Sequence, residues 1–173
     1  MSVLEKFKSI RTFVFDVDGV MTDGSVQVFE TGEQVRRMST RDGYSLQLAV
    51  KKGYRVAVIS GALSEGVRQR LYYLGIKDIF LDIHDKVGLL RKYAADHALE
   101  VEEMLYMGDD MPDFDPMQYV GLACAPADAA PEIRHIAAYI SSFNGGQGCV
   151  RDVIEKVLKL NGHWDLHTTV ASK

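Results

Sequence analysis

Two short acidic clusters in this sequence have a spacing that suits chemistry at a phosphorus atom. The first is Phe15-Asp16-Val17-Asp18-Gly19, and the second is Gly108-Asp109-Asp110. An ionised carboxylate can attack a phosphoryl group if a divalent cation offsets the charge repulsion and an acid protonates the leaving alcohol. Asp16 is the candidate nucleophile. Asp18 can protonate the leaving oxygen and then deprotonate the attacking water.

The second cluster offers the carboxylate oxygen that a hard cation such as Mg²⁺ prefers. Asp109 is the candidate ligand, alongside Asp16. Asp113, one helical turn further on, can orient a metal-bound water or a lysine from outside the ligand shell. The cluster lacks the spaced ligands and terminal Glu of an EF-hand loop, so the pattern favours Mg²⁺ over Ca²⁺.

A phosphoryl group also needs hydrogen-bond donors and positive charge around its oxygens. Ser60 offers a hydroxyl, and Gly61 allows its N–H to approach a phosphoryl oxygen with no side chain in the way. Lys86 offers the positive charge. Each of these residues alone is better explained as part of a loop or a solvated helix start. The prediction therefore rests on their order relative to the acidic clusters.

Short apolar segments of strand-like composition precede these candidates. The predicted strands cover residues 12–15, 55–59, 78–80, 104–107 and 120–123, and the predicted helices cover residues 43–52, 64–74, 86–97, 112–119 and 131–140. This alternation predicts a doubly wound α/β domain with a mostly parallel, Rossmann-like sheet. Ligands of such sheets bind at the carboxyl ends of the strands, where these candidates fall.

One segment interrupts the alternation between Asp23 and Asp42. Two short β-rich runs flank a turn that contains Gly32, which predicts a β-hairpin at about residues 25–38, inserted after the first strand. We expect a single domain over residues 1–164 and a loose tail over residues 165–173, which show no periodicity. The segment between Gly19 and Ser60 leaves no room for a separate cap domain.

Composition excludes several classes of protein. The chain has 173 residues, of which 47% are hydrophobic, and a net charge of −4, so it carries no electrostatic signature of nucleic-acid or membrane binding. No apolar run approaches the length of a membrane span, and the N-terminus lacks the apolar stretch of a signal peptide. Cys124 and Cys149 have neither disulfide-framework nor zinc-site spacing, which indicates a cytoplasmic protein.

The ordered set Asp16/Asp18, Ser60-Gly61, Lys86 and Gly108-Asp109-Asp110 resembles the four motifs of the haloacid dehalogenase superfamily. The resemblance implies an aspartyl-phosphate intermediate and a metal ligand from the backbone carbonyl of Asp18. A dehalogenase has no leaving alcohol to protonate, and pump ATPases similar to this fold carry Thr at the position of Asp18. Because mutases and most larger members have a cap domain, the resemblance implies a capless phosphatase.

Further segments resemble the 3-deoxy-D-manno-octulosonate 8-phosphate (KDO 8-phosphate) phosphatase family and extend the similarity from about Ile10 to Trp164. They are residues 17–24, Arg41-Asp42-Gly43-Tyr44, Arg70 before Leu74-Gly75-Ile76, and residues 145–151. The resemblance implies a homotetramer with its hairpins at the centre and active sites completed by a neighbouring subunit. It also implies a role in lipopolysaccharide precursor synthesis.

A sugar-acid phosphate carries a carboxylate as well as a phosphate, so it needs cations beyond Lys86. Arg41 and Arg70 are the candidates, because a guanidinium can bind a carboxylate in two places. The resemblance implies that Arg70 faces the substrate. It also implies that residues 39–43, with Asp42 and Gly43 among them, line the pocket from the same or an adjacent subunit.

Alternative functions stay open at this point. Ala62 stands where many bacterial relatives carry Arg and where relatives that select a nine-carbon keto-acid 9-phosphate carry Glu, so it supports neither substrate. The Arg41-Asp42-Gly43 loop and the C-terminal glycine-rich segment favour the eight-carbon acid. A non-catalytic regulatory or oligomerisation domain is the alternative of a different class, and the presence of Asp16 and Asp18 argues against it.

Overall fold

A computed structural model describes residues 2–166, 169–171 and 173. In chain order the helices and strands are α1 (Val3–Ser9), β1 (Thr12–Phe15), β2 (Gln27–Val28), β3 (Gln34–Val35), α2 (Thr40–Lys51), β4 (Arg55–Ile59), α3 (Glu65–Tyr73), β5 (Asp78–Phe80), α4 (Lys86–Asp96), β6 (Met104–Met107), α5 (Phe114–Tyr119), β7 (Leu122–Ala125), α6 (Pro131–Ile136), β8 (Tyr139–Ile140) and α7 (Cys149–Leu160). Short 3₁₀ turns cover Val101–Glu103 and Met111–Asp113.

Six strands form one sheet in the order β5-β4-β1-β6-β7-β8, and every neighbouring pair is parallel. Strand β1 lies at the centre, where Phe15 is in register with Val58 of β4 and Met107 of β6. Because the strands are parallel, their carboxyl ends meet at one edge. This arrangement confirms the predicted doubly wound α/β fold.

Apolar side chains cover both faces of the sheet, which is why the central strands are largely apolar. Phe13 and Phe15 of β1 point to the face covered by α1, α2, α3 and α7. Val14, between them, points to the face covered by α4, α5 and α6. The buried faces of the sheet hold β1 rigidly, so the position of the residue after Phe15 is well defined.

Strands β2 and β3 form the predicted hairpin as a separate antiparallel ribbon, with Gln27 opposite Val35. Each of these strands has only two residues, so the hydrogen-bonded part of the hairpin is shorter than the β-rich runs suggested. Residues 16–54, all of them described, contain this hairpin and α2 but no cap domain.

The C-terminal third differs from the prediction. The strand predicted at residues 120–123 covers Leu122–Ala125 as β7. The predicted helix over residues 131–140 was wrong beyond Ile136, because Tyr139 and Ile140 pair with Cys124 and Ala125 as the edge strand β8. Hydrogen bonds offered by the edge of β7 outweigh the local helical periodicity. Helix α7 was not predicted, although its buried apolar residues recur at helical spacing: Val150, Val153, Ile154, Val157 and Leu158.

Described residues of the predicted tail lie against α2 and α3. Lys51 Nζ donates to Thr169 Oγ1 at 2.9 Å, and Arg70 Nη2 donates to the carbonyl oxygen of Lys173 at 2.8 Å. His167, Thr168 and Ser172 of that tail lie outside the described residues. Over the described parts of the chain, no helix has the length and hydrophobicity needed to span a membrane.

Candidate active site

The carboxyl end of β1 carries the first acidic cluster. The Asp16 N–H donates to the carbonyl of Met107 at 3.1 Å, which continues the β1–β6 ladder by one residue and fixes the direction of the Asp16 side chain. The chain then turns at Gly19, whose φ is +82°. A Cβ at this position would lie 1.9 Å from Asp109 Oδ2, so a glycine is needed for the two acidic clusters to approach each other.

Asp113 organises the second cluster, which follows β6. Its Oδ1 accepts hydrogen bonds from Lys86 Nζ and Tyr106 Oη, each at 2.7 Å. Its Oδ2 accepts from the N–H of Asp109 at 3.0 Å. Both oxygens of this fully buried carboxylate are thus engaged by the protein, which suits the supporting position that we predicted for it.

Carboxylate oxygens of Asp16, Asp109 and Asp113 lie within 4.8 Å of one another. Burial raises the pKa of Asp16 to about 8, and the charge of Asp113 adds to this effect while Lys86 opposes it. Burial, followed by the charges of Asp113 and Asp110, raises the pKa of Asp109 to about 7. Three ionised carboxylates would exceed the single positive charge of Lys86. An all-oxygen donor set with such an excess fits Mg²⁺, with Asp16 and Asp109 as the available carboxylates.

Lys86 is the first residue of α4, and its side chain is only 4% exposed. Its Nζ lies 3.0 Å from Asp16 Oδ2, besides its contact with Asp113. Burial disfavours the charged form, but the two carboxylates outweigh it and raise the pKa of Lys86, which keeps the ammonium protonated. Asp85 caps this helix by accepting from the Gly88 N–H at 2.8 Å, which fixes where α4 begins.

A cleft of about 380 Å³ opens at this edge of the sheet. Ser60, after β4, is buried, and its Oγ accepts from the Ala62 N–H at 3.2 Å, while Gly61 beside it is exposed. The structure thus brings these predicted residues to one cleft: Asp16, Asp18, Ser60, Gly61, Lys86 and Asp109. They follow four different strands, β1, β4, β5 and β6.

The predicted substrate-binding arginines do not line this cleft. Arg41, near the start of α2, borders a pocket of about 430 Å³ against α7. Arg70 borders a pocket of about 780 Å³ between the hairpin and α3. Within a single chain, Arg41 therefore lies apart from Asp16, and its contribution to a neighbouring subunit's site stays a prediction.

Asp42 and Gly43 are buried in the first turn of α2. A Cβ on Gly43 would lie 2.8 Å from Arg70 Nη2, so the missing side chain makes room for that guanidinium. Asp42 Oδ1 accepts from the Arg151 N–H at 2.9 Å and so connects α2 to α7. Asp42 Oδ2 has no hydrogen-bond partner among the described residues.

The C-terminal glycine-rich segment packs against the loop after β1 of its own chain. Gly146 donates its N–H to the Val20 carbonyl at 2.9 Å. A Cβ on Gly145 would lie 2.0 Å from the carbonyl oxygen of Gly19. These glycines therefore permit a close approach within the chain, and a contact with a neighbour's site stays a prediction.

Two residues of the site were not predicted. Arg36, just after β3, forms an ion pair with Asp18, and its Nε lies 2.7 Å from Asp18 Oδ1. Nothing in the hairpin sequence distinguishes Arg36 from its neighbour Arg37. Tyr106 donates to Asp113 from within β6, and a tyrosine in a fully buried strand is a signal that its hydroxyl has a polar partner.

Comparison with known proteins agrees with this geometry. Residues 72–154 match the family model of the haloacid dehalogenase-like hydrolases. The chain is 34% identical to the 3-deoxy-D-manno-octulosonate 8-phosphate phosphatase KdsC of Escherichia coli (strain K12) over 163 residues. This aligned region covers 94% of this chain and 87% of the relative. The chain belongs to the haloacid dehalogenase-like hydrolases.

Solved structures show more closely which members of that family the chain resembles. The 3-deoxy-D-manno-octulosonate 8-phosphate phosphatase from Yersinia pestis is 32% identical, with a TM-score of 0.90 over 93% of this chain and 87% of the other. The enzyme of the same name from Moraxella catarrhalis, in complex with a magnesium ion, a phosphate ion and KDO, is 31% identical, with a TM-score of 0.88 over 91% and 90% of the two chains. The predicted resemblance is confirmed.

Proposed function

We propose that this chain is a Mg²⁺-dependent phosphatase that hydrolyses KDO 8-phosphate to KDO and inorganic phosphate, a step that supplies lipopolysaccharide precursors. The observation that carries the proposal is the cleft in which Asp16 lies 3.0 Å from Lys86 and shares its walls with Asp18, Ser60 and Asp109. The name of the Escherichia coli relative and the KDO bound to the Moraxella catarrhalis enzyme support the choice of substrate.

In the first half of the reaction, a carboxylate oxygen of Asp16 attacks phosphorus, and the bond from phosphorus to the ester oxygen breaks. Asp18 donates its proton to that leaving oxygen, which departs as an alcohol. Lys86, the Ser60 hydroxyl and the Gly61 N–H stabilise the charge that builds on the phosphoryl oxygens. The enzyme then holds an aspartyl phosphate.

In the second half, Asp18 removes a proton from a water molecule that attacks the same phosphorus. The bond between phosphorus and Asp16 breaks, which releases inorganic phosphate and restores the carboxylate. A Mg²⁺ ion bound by Asp16, Asp109 and the backbone carbonyl of Asp18 would supply the positive charge that lets two anionic groups approach each other. Asp113 holds Lys86 and the Asp109 loop in place throughout.

The oligomeric part of the proposal is a homotetramer in the cytoplasm. Three apolar side chains of the hairpin, Val28, Phe29 and Val35, are 64%, 44% and 41% exposed, which favours burial against other subunits. Arg41 lies outside the cleft of its own chain, so the proposal assigns it to the site of a neighbouring subunit. Both cysteines are free and buried, which favours a reducing compartment.

A phosphate-release assay tests the substrate. The protein is supplied with Mg²⁺ and compared on KDO 8-phosphate, a nine-carbon keto-acid 9-phosphate and simple sugar phosphates. We expect kcat/KM to favour KDO 8-phosphate by about a hundredfold, which corresponds to about 2.7 kcal/mol of transition-state binding. A preference for the nine-carbon ester would replace the substrate but keep the phosphatase. No release from any ester would favour a non-catalytic domain.

A further inference from the structure

The peptide group between Asp18 and Gly19 has one polar atom in use and one free. Its N–H, which belongs to Gly19, donates to Thr22 Oγ1 at 3.2 Å. Its carbonyl oxygen, which belongs to Asp18, accepts no hydrogen bond from the described residues. A Cβ on Gly19 would lie 1.9 Å from Asp109 Oδ2, so this peptide borders the acidic cluster. The free carbonyl is the one that the proposed function assigns to Mg²⁺.

Steric restraints on the orientation of this peptide are weak. Gly19 has a φ of +82°, and a glycine reaches positive and negative φ with similar ease. A peptide plane turns over by a change in the ψ before it and the φ after it, and at Gly19 no side chain opposes that change. The glycine that lets the two acidic clusters approach each other therefore leaves the direction of the Asp18 carbonyl to be fixed by a hydrogen bond.

Thr22 supplies that hydrogen bond from a rigid position. The residue is fully buried, and its own N–H donates to the Val17 carbonyl at 3.1 Å. Because threonine is branched at Cβ, its side chain has few rotamers. The same Oγ1 also accepts from the Gly24 N–H at 3.2 Å. One hydroxyl oxygen thus joins the Asp18–Gly19 peptide to the residue just before the hairpin.

This contact fixes the direction of the Asp18 carbonyl. The described chain has no cis peptide bond, and a trans peptide directs its N–H and its C=O to opposite sides. Because Thr22 Oγ1 lies on the N–H side, the carbonyl oxygen points away from Thr22. The hydrogen bond to the N–H also polarises the peptide, which increases the negative charge on the carbonyl oxygen that a hard cation prefers.

We propose that Thr22 is a positioning residue of the metal site, whose hydroxyl holds the Asp18–Gly19 peptide with its carbonyl presented to Mg²⁺. This inference rests on the proposed function, in which that carbonyl is a metal ligand. It gives a role in cation binding to a residue that does not line the cleft. Groups that orient a metal ligand from behind commonly change the metal affinity by about tenfold to a hundredfold.

Calorimetric titration of the substrate-free protein with Mg²⁺ tests this role. Thr22→Val keeps the shape of the side chain and removes the hydroxyl, so the Mg²⁺ affinity should fall by about tenfold to a hundredfold. Thr22→Ser keeps the hydroxyl and should bind Mg²⁺ within about threefold of the parent protein. In a phosphate-release assay, the Mg²⁺ concentration that gives half of the maximal rate should rise for Thr22→Val, and excess Mg²⁺ should recover part of the lost activity.

Thr12→Val is the matched control. Thr12 is also buried, at 4% exposure, and it lies on β1 at the end of the strand opposite Asp16. The same substitution there should leave the Mg²⁺ affinity within about twofold of that of the parent protein. If Thr22→Val does not fold, as judged by thermal unfolding, Thr22→Cys takes its place, because a thiol is only a weak acceptor. It should bind Mg²⁺ at least about threefold more weakly than Thr22→Ser.

A Thr22→Val variant that binds Mg²⁺ as tightly as the parent protein would overturn the inference, and so would a Thr22→Cys variant that matches Thr22→Ser. An equal loss of affinity in Thr12→Val would show a general effect on the fold and also overturn it. The failure of the proposed function looks different, because the parent protein itself would then bind no Mg²⁺ or release no phosphate.

Discussion

Lys86 and Asp16 form a buried ion pair, with 3.0 Å between Nζ and Oδ2, although they follow strands that are not neighbours. Strand β4 separates β1, which precedes Asp16, from β5, which precedes Lys86. The four-carbon stem of the lysine crosses this distance, and Asp113 holds its ammonium group from the other side. Lys86 therefore lies between two buried carboxyl groups, and loss of either one leaves its ammonium group in contact with the other.

Replacing Asp16 by Asn should abolish phosphate release without unfolding the protein. The amide cannot attack phosphorus, so we expect turnover to fall by at least about a thousandfold. Lys86 keeps its contact with Asp113, which preserves the buried network. Asp96 forms an exposed ion pair with Lys92, so Asp96→Asn is the control and should keep full activity. Turnover close to that of the parent protein would remove Asp16 as the nucleophile.

The affinity for Mg²⁺ should rise with pH between 6 and 8. Because the pKa values of Asp16 and Asp109 are raised to about 8 and about 7 in the cation-free protein, both carboxyls hold protons at pH 6 that the cation must displace. We expect binding at least about tenfold tighter at pH 8 than at pH 6. Calorimetric titrations with Mg²⁺ in two buffers of different ionisation enthalpy would detect the released protons. A Mg²⁺ affinity that does not change with pH would contradict the assignment of the metal site to Asp16 and Asp109.

Asp42 should make the stability of the protein fall as pH rises from 4 to 6. Burial raises the pKa of Asp42 from 3.8 to about 6, while the hydrogen bond from the Arg151 N–H acts in the opposite direction. Between these two values the folded state binds more protons than the unfolded state. The stabilising proton is therefore fully present below about pH 4 and lost by the time pH exceeds 6.

Asp42→Asn should remove this dependence, because the amide keeps an oxygen for the Arg151 N–H and carries no charge. The variant should be more stable than the parent protein at pH 7 by up to about 3 kcal/mol, and the difference should shrink towards pH 4. Urea unfolding at several pH values measures this difference in the free energy of unfolding. Asp96→Asn, a change at an exposed residue, is the control. A destabilised variant at pH 7 would show that the ionised carboxylate is the form the fold needs.

Arg70→Ala should raise KM for KDO 8-phosphate by about tenfold, because the guanidinium is a candidate partner for the substrate carboxylate. KM for p-nitrophenyl phosphate, which has no carboxylate, should change little. Arg68→Ala on the same helix removes an exposed pair with Glu65 and serves as the control. Equal increases in KM on both substrates would exclude Arg70 from substrate recognition.

Val28→Lys should reduce the size of the assembly. A charge on an apolar hairpin residue cannot be buried against another subunit without a large cost, so sedimentation should show species smaller than a tetramer and lower activity. Leu4→Lys is a matched control, because Leu4 is 63% exposed and Val28 is 64% exposed, but Leu4 lies on α1. A parent protein that sediments as a monomer would contradict the tetramer.

Local sequence was sufficient for the elements that carry the acidic clusters. The apolar runs before Asp16 and Asp109 predicted β1 and β6 at their observed bounds, because a strand buried on both faces is largely apolar. Parallel pairing then places the residues after each strand at one edge. The grouping of Asp16, Ser60, Lys86 and Asp109 therefore followed from the sequence before any distance was known.

The rest depended on contacts between segments that are distant in the chain. Strand β8 exists because the edge of β7 offers hydrogen bonds, which a local helical period does not reveal. Gly19 is fixed by its close approach to the Asp109 side chain, and Gly145 by its close approach to the Gly19 backbone, and only the folded chain makes these contacts. The pairing of Arg36 with Asp18 depends on how the hairpin packs over the cleft, and Arg36 and Arg37 are equivalent in the sequence. The sequence thus determined which groups are the candidates for the chemistry. The tertiary structure decided which side chains hold them, because packing and burial select among chemically equal residues.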